Sequence, residues 1–443
     1  MKKIVAVLTA FLLIFTSCDS FLPENIASNI SLPNSLESKP GDVLDIEKEG
    51  QKVDEPVKII STPDVQSNVR IESNHKKIEK SGYYGYGLLS ESERIFYDRL
   101  DDSVKHTQNF VNISDLDLSV SSFNKTYNYF VADNPAYFWL SKKSYYQYNS
   151  RKVLTVGLKF YDGVRIDEYV DNRMELDKNN AADRNRISAQ ISELNAKLSG
   201  LVGSVPYNYS ELQKARMAHN LTIDNLSYNY EEAKKVGKND YYSHIFTVYG
   251  GIVQNSGVCE AYSKMFQMLC YELGINAITV RGESKGEGHM WNAALIGDSW
   301  YYQDTTWDDG YEDAILPKNQ YYKYFNLTGE MMLKDHTVTE AENFPMPAAN
   351  STEFYYLDMV SPKIHNKNES PADLAQTVGK AKMYGDIKYT LRFSEEFNAA
   401  SVRTYLNNFR GQINNEVKKQ NGTLEASYLY IELEQYVVLT ITW

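Results

Sequence analysis

Three short segments of the chain carry side chains that could do covalent chemistry. They are Gly257–Cys259, which ends in a thiol, Gly288–Asn292, which contains an imidazole, and Asp304–Asp308, which begins with a carboxylate. A thiol attacks acyl groups as the thiolate, so a catalytic cysteine needs a neighbour that takes its proton and a third group that orients this neighbour. The three residue types, in this order, predict a nucleophile, a base and an orienting acid.

The cysteine is predicted to stand at the beginning of a helix. Gly257 allows the backbone to turn sharply just before Cys259. Apolar residues then recur at helical spacing and a glycine follows them: Tyr262, Phe266, Leu269, Leu273 and Gly274. At a helix N-terminus the helix dipole and the unpaired N–H groups favour a thiolate and, later, an oxyanion.

The histidine and the aspartate are predicted to meet across a β-hairpin. The alternation of apolar residues predicts strands on both sides of a two-residue turn, Gly297–Asp298. If Ile296 pairs with Ser299, His289 becomes a diagonal neighbour of Asp304 on the same face, within reach of a hydrogen bond. A bulge in either strand would break this register.

The three segments together resemble the transglutaminase-like (papain-like cysteine) superfamily, whose bacterial members carry G-V-C-x-x-Y, G-H-x-W-N and D-x-T-x-D motifs. The resemblance covers residues 211–336, under a third of the chain. It implies a papain-like core with Cys259 as nucleophile, His289 as general base and Asp304 as orienting acid. It also suggests Gln254 as a second oxyanion donor.

Two reactions and one non-catalytic role are compatible with these residues. An acyl-enzyme that reacts with water makes a peptidase or amidase, and one that reacts with an amine makes a transglutaminase; both would act on amide bonds of proteins or peptides. The alternative is a surface binding module in which the triad is residual. Such a module would keep an ordinary cysteine pKa of about 8.5.

The N-terminus predicts export. Two lysines precede an apolar run, Ile4–Phe15, that is too short to span a membrane comfortably, and small residues lead to Cys18. This pattern resembles a lipoprotein signal in which Cys18 is lipidated, although Phe15 replaces the usual leucine; an ordinary cleaved signal peptide is the alternative. We therefore expect an exported protein in the cell envelope, held at the membrane by a lipid anchor.

The chain contains three cysteines, of which two lie in the predicted core. Cys259 and Cys270 fall on one predicted helix, about 16 Å apart at 1.5 Å per residue, so they cannot form a disulfide. No Cys-x-x-Cys or His-x-x-x-His spacing occurs, which predicts no metal site and no cofactor. The remaining histidines are scattered; His219 or His244 could support the site residues from behind, but core or surface roles are favoured for both.

The charge limits the partners. The formal net charge of −12 argues against binding to nucleic acid or to anionic lipid. The expected partners are a protein or peptide substrate, or a polymer of the cell envelope. The 35 tyrosines are expected to pack cores and hairpins, with some exposed along a substrate groove.

The predicted fold class is α+β, with a papain-like core between two smaller α+β parts. The predicted segments are a signal peptide with its cysteine at 1–18, a flexible polar tether at 19–81, an N-terminal region with a bridging helix at 82–200, the core at 201–347, and an accessory domain at 348–443. The accessory domain is expected to bind an envelope polymer or partner protein, or simply to support the core.

Overall fold

The computed structural model describes residues 48–53, 69–108, 110–160, 181–234, 244–309, 322–339, 344–355, 363–364 and 388–393, and parts of the C-terminal region: 397–398, 400–402, 404–405, 407–408, 415, 418–419, 423–431 and 434–442. The chain divides into two compact units. One contains residues 38–310 and 327–351, and the other contains residues 1–37, 311–326 and 352–443.

The predicted α+β class is confirmed, and the helices with described bounds lie in the first unit. They are α1 Tyr84–Gly87, α2 Glu91–Lys105, α3 Val120–Asp133, α4 Ala181–Gly203, α5 Glu211–Asn225, α6 Tyr230–Ala233, α7 Val248–Ile252, α8 Cys259–Leu273, α9 Thr305–Asp308 and α10 Gly329–Met332. Short 3₁₀ turns cover Lys80–Gly82 and His244–Phe246. Within the residues described, none of the helices has both the length and the apolar character to cross a membrane.

Two larger sheets lie in this unit. The bounds of the strands are β1 Lys48–Lys52, β2 Phe110–Asn112, β3 Leu140–Tyr148, β4 Val153–Phe160, β5 Ser227–Tyr228, β6 Ser256–Gly257, β7 Ala277–Ser284, β8 Glu287–Ile296, β9 Ser299–Gln303, β10 Phe325–Leu327 and β11 His336–Val338. Among these strands, β10 begins in the second unit, which contains residues 325 and 326. One sheet has the order β1-β3-β4-β2, and in the other four strands lie side by side in the order β9-β8-β7-β11.

Helix α8 and the β8–β9 hairpin have the predicted form. The helix starts at Cys259 and ends at Gly274, whose positive φ of 85° lets its N–H reach the carbonyls of Cys270 and Tyr271. In the hairpin Ile296 pairs with Ser299, which is the predicted register without a bulge. Both predictions are confirmed. They could be made from the sequence because each depends on turn residues close to the element concerned.

The prediction of a flexible tether over residues 19–81 is wrong for the described residues 48–53 and 69–81. The segment at 48–52 is β1, which pairs in parallel with β3. Further along, the N–H of Ile78 bonds to the carbonyl of Tyr271 at 2.8 Å, and His75 Nε2 lies 3.0 Å from the carbonyl oxygen of Val205. Polar, proline-containing sequence can add to a sheet edge through backbone hydrogen bonds, which composition does not reveal. The rest of the predicted tether and Cys18 lie outside the described residues.

The predicted N-terminal region and the predicted core belong to one unit as far as residue 310. Gln267 of α8 donates to the carbonyl of Ala132 in α3 at 3.0 Å, and the ring of Tyr83 stacks on that of Tyr271 at 4.7 Å. The helix that carries Cys259 is therefore packed against the region that precedes it.

The second unit contains a sheet of its own. Its strands are β12 Lys363–Ile364, β13 Lys388–Phe393, β14 Thr423–Ile431 and β15 Glu434–Thr442, in the order β12-β13-β15-β14. Phe393, Phe397 and Tyr405 pack edge to face beside it. The predicted accessory domain begins at 348, whereas the C-terminal segment of this unit begins at Thr352.

Candidate active site

Asp304 lies at the centre of a buried polar cluster, between β9 and α9. Its Oδ1 atom accepts hydrogen bonds from the N–H groups of Thr306 and Trp307, at 3.0 and 3.1 Å, and so caps α9. Its Oδ2 atom lies 2.7 Å from His289 Nε2 and 3.1 Å from His336 Nε2. All the usual acceptor positions of one carboxylate are in use.

The aspartate is ionised in this environment. Asp304 is fully buried, and burial alone would raise the pKa of its carboxyl. The charges and hydrogen bonds of His289 and His336 outweigh that effect and hold the pKa well below its ordinary value. The site therefore contains a permanent negative charge at neutral pH.

His289 reaches this charge from β8, as the hairpin register predicts. Asn292 pairs with Gln303, so His289 lies three residues beyond that pair and diagonal to Asp304. With Nε2 donating to the aspartate, the neutral tautomer carries its lone pair on Nδ1. Within the described part of the chain, Nδ1 makes no hydrogen bond, so it is the nitrogen that can accept a proton.

Cys259 is held close to His289 through the first turn of α8. The hydroxyl of Ser263 lies 2.9 Å from the carbonyl oxygen of Cys259 and 2.8 Å from that of Met290. The side chain of Asn292 donates to the carbonyl of Ser263 at 2.9 Å. The first turn of α8 is thus bonded to Met290 and Asn292, the residues of β8 that follow His289.

Aromatic rings enclose the imidazole of His289. Trp291 stacks near it with ring centroids 5.9 Å apart, and Trp307 contacts it edge to face at 5.8 Å. The ammonium group of Lys285 lies over the Trp307 ring at 4.1 Å. His289 is only 5% exposed and Cys259 only 1% exposed.

His336 is the site residue that sequence reasoning missed. It begins β11, an edge strand of three residues, and contacts the same aspartate oxygen as His289. A strand this short has no periodicity, and its pairing partner β7 lies more than 50 residues earlier in the chain. The one available signal was the glycine inside β7, Gly282, which indicates a close approach of another strand.

Within the described part of the chain, the side chain of Gln254 makes no hydrogen bond to this cluster. It is exposed in the turn after α7, and its backbone N–H bonds to the carbonyl of Tyr249 at 3.3 Å. The suggested role as an oxyanion donor stays a prediction.

The two core cysteines are not joined in a disulfide, as predicted. Cys270 is fully buried among apolar side chains, which raises the pKa of its thiol well above the ordinary value. Cys270 is therefore a poorer nucleophile at neutral pH than an exposed thiol, and it lies on the same helix as Cys259, three turns further along.

The cluster has residue types that could also bind a metal ion. The donor atoms of His289, Asp304 and His336 lie within 4.8 Å of one another. The two imidazole nitrogens, however, lie at hydrogen-bond distance from one carboxylate oxygen, which is the arrangement of shared protons. A metal ion would have to replace both hydrogen bonds, so the predicted absence of a metal stays a prediction.

A second histidine–aspartate pair connects α5 to α9. His219 Nε2 lies 2.9 Å from Asp308 Oδ2, and neither side chain has any exposed surface. Next to it, the hydroxyl of Tyr262 in α8 donates to Asp309. These contacts tie the short helix that Asp304 caps to the two long helices around it.

This part of the chain matches a known protein family. Residues 201–305 match the model of the transglutaminase-like superfamily. Residues 201–305 are a transglutaminase-like domain. Cys259, His289 and Asp304 fall inside the matched range, and His336 falls outside it.

The relatives of this transglutaminase-like domain cover only part of the chain. Kyphoscoliosis peptidase of Homo sapiens is 31% identical over 93 residues, and that of Mus musculus is 30% identical over the same length. Each match covers 18% of this chain and 14% of the relative, so the chain spans a small fraction of the relatives' length.

Two solved structures are also similar. The crystal structure of a TGase covers 38% of this chain and 45% of its own chain, with 15% identity and a TM-score of 0.23. A candidate cysteine protease from Cytophaga hutchinsonii covers 35% and 51%, with 21% identity and a TM-score of 0.20. TM-scores this low do not establish a common fold, and the family assignment rests on the sequence match.

Proposed function

We propose that the chain is a cysteine-dependent acyl-transfer enzyme that acts on amide bonds of proteins or peptides, with Cys259, His289 and Asp304 as its catalytic triad. The observation that carries this proposal is the buried 2.7 Å contact between His289 Nε2 and Asp304 Oδ2, beside the helix start that bears Cys259. It fixes the tautomer in which His289 Nδ1 can accept the thiol proton. The transglutaminase-like match is consistent with this chemistry.

In the proposed reaction, His289 takes the proton of Cys259 and the thiolate attacks the amide carbonyl carbon. The backbone N–H of Cys259, at the first position of α8, stabilises the oxyanion. His289 then returns the proton to the leaving amine as the C–N bond breaks, which leaves a thioester on Cys259. Attack by water releases the acid and attack by an amine forms a new amide, and both restore the thiol.

One observation favours the alternative, a non-catalytic binding module. With Cys259 and His289 almost completely buried, an amide substrate reaches the thiol only if the residues that cover it move. Trp307 of α9 packs on the His289 ring, and Lys285 of the β7–β8 turn lies over the Trp307 ring, so we propose that these two side chains move. In a residual site they would stay closed.

The test is the reactivity of Cys259 as a function of pH. The full chain is treated with iodoacetamide between pH 5 and 9, and the label is located by peptide mass, so that Cys270 serves as an internal control. Rapid labelling of Cys259 well below pH 8.5, lost in His289→Ala, is the expected result. Labelling that rises only near pH 8.5, with the same rate in the variant, would contradict the triad and favour the binding module.

A positive result decides which products to look for next. Peptide substrates are then incubated with and without a fluorescent primary amine. New peptide ends without incorporated amine indicate a peptidase or amidase, and incorporated amine without new ends indicates a transglutaminase. The Cys259→Ala variant must abolish both signals.

We also propose that the protein is exported to the cell envelope and anchored there by lipid on Cys18, on the basis of residues 1–18 alone. Substitution Cys18→Ala is expected to move the protein from the membrane fraction to the soluble fraction. Membrane association that survives this substitution contradicts the anchor.

A further inference from the structure

The histidine that the sequence analysis did not assign, His336, contacts two carboxylates. Its Nε2 lies 3.1 Å from Asp304 Oδ2, and its Nδ1 lies 2.7 Å from Asp335 Oδ1. The side chain is 2% exposed. A carboxylate can only accept, so each ring nitrogen must carry a hydrogen, and the imidazole is present as the cation.

The electrostatics agree with this assignment. Desolvation by burial lowers the pKa of His336, but the hydrogen bonds to Asp304 and Asp335 outweigh it and raise the pKa to about 9. At neutral pH the cluster therefore contains a positive charge on His336 and a negative charge on Asp304. The proposed base, His289, lies on the other side of that aspartate.

The strand pairing brings His336 to this position. In β7, Gly282 pairs with His289 on one side and with Val338 of β11 on the other. A Cβ atom at Gly282 would lie 1.9 Å from the carbonyl oxygen of Thr337 and 2.7 Å from the ring of Trp291. The absence of a side chain there lets the rings of His289 and His336 approach to 5.5 Å between centroids.

We propose that His336 is a positioning residue of the Cys259–His289–Asp304 site, which makes the site a four-residue series, Cys–His–Asp–His. It holds Asp304 Oδ2 in line with His289, and its charge offsets that of the aspartate. This inference rests on the proposed function, because it concerns how the same site is arranged.

The charge on His336 has a direct effect on proton transfer. A buried aspartate with no compensating cation would hold the proton on His289 and hinder its return to a leaving amine. With His336 protonated, its positive charge offsets the negative charge of Asp304. A unit charge 5.5 Å away in a medium of dielectric constant about 20 shifts such an equilibrium by about two pH units.

Three charged or titratable groups lie against His336 in the part of the chain that the structure describes. They are Asp304 from the β9–α9 junction, Asp335 from its own segment and His289 from β8. From β7, Ser284 lies opposite His336 and its hydroxyl donates to the carbonyl of Asp335 at 3.0 Å. The neighbouring residues of β7 alternate to the other face of the sheet.

The test compares His336→Gln with the wild-type full chain. Glutamine can still donate one hydrogen bond to Asp304 but carries no charge. ¹⁵N-histidine NMR follows the protonation of His289 against pH, and iodoacetamide labelling of Cys259 is measured in the same samples. His106→Gln is the matched control, because His106 pairs with Asp102 on α2, away from this sheet.

We expect His336→Gln to remain folded. In this variant the titration of His289 and the alkaline limb of Cys259 labelling should both move upward by one to two pH units. The control His106→Gln should move neither. An unchanged titration of His289 in a folded His336→Gln variant overturns the inference. If wild-type Cys259 is unreactive, the proposed function fails, but the NMR titration still decides the role of His336. If His336→Gln does not fold, the same titration in His336→Asn, which also removes the charge, decides, with an upward shift expected and no shift overturning the inference.

Discussion

Gly282 is the position at which one added methyl group tests the arrangement of the whole site. In Gly282→Ala, the new Cβ atom would lie 1.9 Å from the carbonyl oxygen of Thr337, and real Cβ atoms essentially never come closer than 3.0 Å to such an atom. Strand β11 must therefore retreat by at least the difference, about 1.1 Å. The contact between His336 and Asp304 is already 3.1 Å long, so a retreat of this size breaks it.

The energetic cost has two parts. Overpacking of the sheet costs about 1–3 kcal/mol, and loss of a hydrogen bond between buried charged groups costs about 1.5–3 kcal/mol. We expect the free energy of unfolding to fall by about 3–5 kcal/mol and Tm by roughly 10 °C. Thermal unfolding followed by circular dichroism measures the loss, and iodoacetamide labelling of Cys259 reports on the site.

The matched control is Gly288→Ala, in the neighbouring strand β8 and next to His289. A Cβ atom at Gly288 has open space around it, and its φ is not positive. The control is expected to keep its free energy of unfolding within about 0.5 kcal/mol of wild type. If Gly282→Ala unfolds at the same temperature as Gly288→Ala, the added methyl group does not lower the free energy of unfolding, and the reasoning about the close approach of β11 is refuted.

Three further predictions concern the scaffold. Burial raises the pKa of Asp133 to about 7, so the folded state keeps a proton that the unfolded state loses near pH 4. The free energy of unfolding of wild type, relative to Asp133→Asn, should therefore fall by up to about 4 kcal/mol as the pH rises from 4 to 8. Urea unfolding measures this difference, and a difference that does not change with pH would contradict the prediction. Removal of one partner from the buried pair of His219 and Asp308, in Asp308→Ala, should cost about 3–5 kcal/mol in the same assay, and a loss below about 1 kcal/mol would mean that the pair is replaceable. Gly274→Ala should release residues 69–79 from the domain, because a Cβ atom at position 274 would lie 2.4 Å from the carbonyl oxygen of Lys76 and the positive φ is strained for alanine. The expected result is faster limited proteolysis of residues 69–79. Unchanged proteolysis would argue against the contact.

What the sequence predicts about the site is the part that depends on local structure. The start of α8 follows from Gly257 and its end from Gly274, and the contact between His289 and Asp304 follows from a two-residue turn that sets the register of one hairpin. Each of these signals lies within about 20 residues of the group it positions, where backbone rules are strongest.

What could not be predicted depends on pairing between distant segments. His336 reaches the site on a three-residue edge strand, and β1 forms from the polar sequence KEGQK by adding to the edge of β3. Neither segment has the alternation that identifies a strand, because edge pairing is made by backbone groups that every residue carries. Burial of Asp133 is likewise a property of the packed structure: its partners, Gly85 and Tyr86, lie almost 50 residues earlier.

The route of the chain between Asp304 and His336 has a consequence for the order in which the protein is made. The polypeptide leaves the first unit after Gly310 and returns to it at Leu327, before β11 is reached. During synthesis α8 and the β8–β9 hairpin emerge first, and His336 joins them only after that excursion. A nascent chain that ends before residue 336 would contain the cysteine, the base and the acid, yet lack the cation beside them. On the function proposed above, Asp304 therefore has no neighbouring cation to offset its charge until synthesis has passed residue 336.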